Sequence, residues 1–103
     1  MAQQRIDFQS LPWESPAPGI RFKAHVAEGK KIRLLEFTDQ LFERDWCLKE
    51  HFGYVLEGRL TIDFQGNIVE YEAGDGLVIS EGEHHKAHVA RGERALMIMF
   101  EKP

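Results

Sequence analysis

The chain has 103 residues, 43% of them hydrophobic and 29% charged, with a formal net charge of −4. That length and balance suit a single folded domain with its own core and exclude a disordered chain. An acidic chain whose longest cationic run is Lys30-Lys31 presents no basic face to nucleic acid.

The start, MAQQRIDFQSLPW, lacks the apolar centre of a secretory signal. The longest unbroken apolar run, Ala95 to Phe100, falls far short of the roughly 20 residues a membrane span needs. A single cysteine, Cys47, has no intrachain disulfide partner, which fits a reducing compartment. A cytoplasmic location is therefore the expectation.

Residues 1–19 hold Pro12, Pro16 and Pro18 and end on Gly19, so they read as an arm, with Ile6 and Phe8 available for a short edge strand. From there, residues 20–103 read as one domain. Ile20, Phe22, Ala24 and Val26 alternate with Arg21, Lys23 and His25, a strand with one face inward. Asp39 to Arg44 has room for a single helical turn. Leu60, Ile62 and Phe64 alternate with Arg59, Thr61 and Asp63 in the same way. Turn signals such as Glu28-Gly29, Gly58, Gln65-Gly66-Asn67, Gly74-Asp75-Gly76 and Arg91-Gly92 recur at short intervals, and short strands so spaced predict an all-β sandwich or barrel.

Two stretches carry the chemistry. In EGEHHKAHV, residues 81–89, a strand would place His85, Ala87 and Val89 on one face and His84, Lys86 and His88 on the other. The first set is inward and the second solvated. The other stretch, WCLKEHFGYVLEGRL, residues 46–60, holds His51 before a run apolar on both faces, so periodicity does not orient it. A lone inward histidine is more often a core residue with its ring nitrogens hydrogen-bonded. Two that converge make a candidate metal pair, because neutral imidazole is a frequent ligand.

These residues resemble the paired motifs of the cupin superfamily, in particular small single-domain cupins of the cupin-2 type. His51 is followed by six residues and Gly58, with YVLEG between. Gly74, five residues, Ser80, Glu81, Gly82, two residues and His85 repeat the second motif, with serine in place of proline. The resemblance spans about residues 30 to 100. It implies a double-stranded β-helix, a small antiparallel barrel or jelly roll with a ligand cavity. It also implies a divalent transition metal (Zn, Fe, Mn, Ni or Cu) held by two histidines of one strand, an acid, and the second-motif histidine. Carried over, His85 is that last histidine and His51 stands where the acid would be. The histidine pair is missing: its positions fall on Asp45 and Cys47 or, with a longer spacer, on Arg44 and Trp46. Asp45 and Cys47 could both bind metal, whereas an inward Trp46 and Leu48 would turn them away from the cavity. A lone cysteine is also commonly a small buried hydrophobe.

Arg33 and Tyr54 are further cavity-lining candidates, although an arginine on a sheet surface, paired for instance with Glu36, and a packing tyrosine are the commoner roles. Three functions compete: a metal-dependent enzyme on a small organic molecule, a metal-free module binding a sugar or small acid, and a structural partner domain. The resemblance favours a small cupin binding a metal and a small ligand and implies a homodimer, while the charge and the short apolar runs lead us to expect no nucleic-acid or membrane partner.

Overall fold

The computed structural model describes residues 4–103. The chain is all β apart from one 3-10 turn at Phe8–Ser10, with strands β1 (Glu14–Ala17), β2 (Ile20–Ala27), β3 (Lys30–Thr38), β4 (His51–Phe64), β5 (Asn67–Glu72), β6 (Gly76–Ile79), β7 (Lys86–His88) and β8 (Arg94–Glu101). Every pairing is antiparallel, along the path β1-β2-β3-β8-β4-β5, with β6 and β7 also on β4.

The long strand β4 joins two sheets. Its first half pairs with β6 and β8, and its second half with β5 and β7. The changeover falls at a register shift between Val55 and Glu57, where an extra residue bends the strand. Gly58 follows at φ +77°, and a Cβ there would overlap the Arg94 carbonyl oxygen, so the position admits no side chain.

Alternation then decides what lies inside. Leu35, Val55, Leu60, Ile62, Leu77, Ile79, Val89, Ala95, Met97 and Met99 form the buried core, each large member contributing about 1.5–3 kcal/mol by leaving water. Cross-strand register lines up the inward rows: Lys31 faces Glu101, Arg33 faces Met99, Leu35 faces Met97 and Phe37 faces Ala95. Gly53 continues the Met99 row on β4, where a Cβ would strike the Met99 sulfur.

Local expectations and structure differ in three places. The edge strand forms at Glu14–Ala17, not at Ile6 and Phe8, and Pro16 is tolerated there because an edge strand can lack a donor. Asp39 to Arg44 forms no helix; an ordinary turn at Thr38 leads into an extended connection. Val26 is exposed, since β2 outruns the core it covers. No helix among the described residues is long and apolar enough to cross a membrane.

Candidate metal centre

A cavity of about 680 Å3 opens within the barrel, within the range usual for small-ligand sites. Cys47, His51 and His85 share its wall, and one donor atom from each lies within 4.8 Å of the others. His51 opens β4 and is 9% exposed; His85, just before β7, is 4% exposed. Their rings meet edge to face, with centroids 5.1 Å apart.

Cys47 reaches the site through its backbone. Its N–H donates to the His85 carbonyl at 2.9 Å, and the His85 N–H donates back to the Cys47 carbonyl at 3.1 Å. This isolated bridge ties an otherwise irregular connection to the residue just before β7. Cys47 Sγ comes to 3.8 Å from His51 Nε2.

Both rings have one nitrogen committed. Glu101 Oε2 lies 2.7 Å from His51 Nδ1. Burial works to raise the Glu101 pKa, but hydrogen bonds from His51 and Arg33, and the Arg33 charge, outweigh it and hold the carboxyl at about 2. The carboxylate is therefore an acceptor only, and His51 Nδ1–H donates to it. His85 Nδ1 sits 2.9 Å from the Glu83 carbonyl oxygen, which also can only accept. With Nδ1 committed in each ring, Nε2 is the nitrogen left to face a metal. Fixing the far nitrogen in this way sets the tautomer and orientation a metal ligand needs.

Glu101 is the residue that sequence reading missed, although a signal existed. It continues the inward phase of Ala95, Met97 and Met99 on β8, and a carboxylate at an inward position calls for partners. Its partners are His51 and the Arg33 guanidinium, whose Nη2 donates at 2.7 Å to Glu101 Oε2 while Nε bonds Oε1. Arg33 therefore lines the cavity paired with Glu101. Glu36 faces outward and is taken by Arg21 and Arg94.

The other candidates lie elsewhere. Asp45 is exposed and outside the three-residue group. The two-residue period expected to join it with Cys47 does not operate, because residues 41–50 form no strand beyond the bridge at Cys47. Trp46 packs beneath Lys86, whose Nζ is 4.6 Å from the ring centroid. Tyr54 is 46% exposed on the outer face and does not line the cavity. His84 and His88 face solvent, in line with the alternation.

Residues 49–101, half of the chain and the part holding His51, His85 and Glu101, match the cupin domain family. The chain belongs to the cupins. No curated protein sequence matches it. Among solved structures this cupin is similar to the polyketide cyclase RemF from Streptomyces resistomycificus, with a TM-score of 0.83 at 19% identity over 98% of this chain and 80% of that one. It is also similar to KdgF from Halomonas sp., with 0.78 at 16% over 99% and 96%. HppE in its Fe(II) form gives 0.74 at 16% over 93% of this chain, which spans only 58% of that protein's length. At these identities the likeness is one of fold, and the double-stranded β-helix follows from it.

Proposed function

We propose that this cupin holds one divalent transition metal through Cys47 Sγ, His51 Nε2 and His85 Nε2, beside a small organic ligand in the cavity. The observation that carries the reading is the convergence of three donors, two of them imidazoles with Nδ1 already committed. The donor set fits such an ion. A thiolate with two imidazoles matches three-ligand sites that keep one position open, and it favours zinc or copper over manganese. The ion would supply a Lewis acid at that open position. The chain's own part is to orient: Glu101 and the Glu83 carbonyl hold the two rings, and Arg33 holds Glu101. A fold neighbour solved with Fe(II) supports a metal in this architecture.

Metal content of the tag-free protein by inductively coupled plasma mass spectrometry tests this. The expected result is about one equivalent in wild type, lost in His51→Ala and His85→Ala, reduced in Cys47→Ser and unchanged in His84→Ala. An empty wild-type protein after reconstitution would leave a metal-free binding module.

The same reading includes a homodimer. On the outer face, Val78, Phe52, Phe100 and Ile32 form one cross-strand row, and Tyr54, Ile98 and Leu34 the next. Among the described residues the N-terminal segment packs on β2, where Trp13 stacks on Arg21 and Lys23. Phe52, Phe100, Tyr54, Leu56 and Val78 stay exposed, on the order of 500 Å2 of surface, against about 800 Å2 per partner in a standard interface. The two rows carry no charge between β6 and β3, so a second copy related by a two-fold axis would meet no like charge. Sedimentation velocity should show a dimer for wild type and a monomer for Phe52→Lys; a monomeric wild type at high concentration refutes the pairing.

A further inference from the structure

The polar groups of the cavity wall are mostly committed to one another, and this narrows what can enter. Both Glu101 oxygens accept from Arg33 and His51, and His85 Nδ1–H is taken by the Glu83 carbonyl. Glu81 and Glu50 lie near Lys102 Nζ, at 2.6 and 3.9 Å. Deeper in, the only charged lining group among the described residues is Glu43, and its Oε2 accepts from the Ala87 N–H at 2.7 Å. Around it stand Ile20, Leu35, Phe37, Leu60 and Ile62.

A sugar brings several hydroxyl groups, each of which loses free energy if desolvated without a partner. The deep half of this wall has almost none to offer. The uncommitted donors are all cationic and sit toward the metal-centre end. Lys31 lies opposite Glu101 in the inward row, and Lys49 lines the same rim; neither has an ion-pair partner among the described residues. Arg33 Nη1 makes no side-chain hydrogen bond there either. From Lys31 to Phe37 the inward residues of β3 pass from charged to apolar over roughly 20 Å.

We infer that the cavity takes an amphiphilic organic acid, its anionic head at the Lys31–Lys49 end and its apolar body, a ring system or alkyl chain, against Leu35, Phe37, Leu60 and Ile62. This deepens the ligand half of the reading above and does not depend on the metal. On this reading a polyhydroxylated acid finds too few partners for its hydroxyl groups along the apolar part of the wall. The methionine methyl groups of Met97 and Met99, which line the cavity, provide a local reporter.

The test is a titration of methyl-13C-methionine protein, stripped of metal and zinc-loaded, with octanoate, 2-naphthoate, naphthalenemethanol, galacturonate and citrate, each to about 10 mM. At least one of the two apolar acids should shift the Met97 and Met99 resonances saturably. Galacturonate and citrate should leave them in place, and the neutral alcohol should bind about 10-fold more weakly than 2-naphthoate. Lys31→Gln with Lys49→Gln, both at the rim, should weaken the responding acid about 10-fold while leaving the folded spectrum intact. Saturable shifts from galacturonate or citrate with none from either apolar acid overturn the inference, as does silence from all five. Shifts from the apolar acids in a protein that retains no zinc uphold it while removing the metal proposal. One equivalent of zinc with a response only to galacturonate does the reverse.

Discussion

Along β3 the inward positions run Lys31, Arg33, Leu35, Phe37, and along β8 they run Glu101, Met99, Met97, Ala95, so two paired strands build a charged end and an apolar end of one cavity. The backbone is equally regular at both. At the apolar end each side chain is satisfied by any neighbour of suitable volume, because dispersion and burial have no direction. At the charged end each group needs a specific partner at a specific angle: Arg33 on Glu101, Glu101 on His51, His85 on the Glu83 carbonyl. Regular strands can hold either kind of interior, and both need the register that turns these rows inward, but only the charged end also needs a named partner for each group.

Substitution at each end should separate the two. Glu101→Leu leaves the half-enclosed Arg33 charge and His51 Nδ1–H without an acceptor, and is expected to cost about 3 kcal/mol. Arg33→Met added to it should recover the part of that loss due to the unpaired guanidinium, leaving only His51 Nδ1–H without an acceptor. Leu35→Ala, at the apolar end, should cost about 2.5 kcal/mol, with no second substitution to rescue it. Urea unfolding of the four proteins measures both, and equal behaviour of the two ends would break the comparison.

Acid sharpens it with a smaller effect. The Glu101 carboxyl is held at about 2 in the folded protein against 4.5 for the free group. Its contribution is therefore present in full above pH 4.5 and is lost as the pH falls from there toward 2. Glu36 is also lowered: burial opposes the shift, and hydrogen bonds from Arg21 and Arg94 outweigh it. Wild type should lose stability across that window, Glu101→Gln should lose less, and Leu35→Ala should run parallel to wild type. Urea midpoints at about pH 7, 4.5 and 3 would show whether the curves converge. A Glu101→Gln curve as steep as wild type would remove Glu101 from the account.

Much of this was open to reading in the chain. The alternation of EGEHHKAHV sends His85 inward and His84 and His88 outward, and that is how they stand. The motif glycine Gly58 sits where a side chain cannot fit. Alternation failed where its premise failed. Asp45 and Cys47 are two apart, but their segment is not a strand, so only Cys47 reaches the cavity. For Arg33 the sequence offers Glu36 or some other acid as a partner, and the acid is Glu101, 68 residues away.

By itself, then, the sequence determined the all-β class, the spacing of the strands and the inward facing of His85, because side-chain alternation and turn preference act between residues a few positions apart. Tertiary structure alone decided that β8 lies between β3 and β4, and that Cys47 bridges to His85. The first of these brings the Arg33 and His51 side chains to Glu101; the second brings the thiol to the two imidazoles. Both are pairings between distant segments, fixed by the register in which strands close the barrel and bury a common core, and no local preference encodes that register.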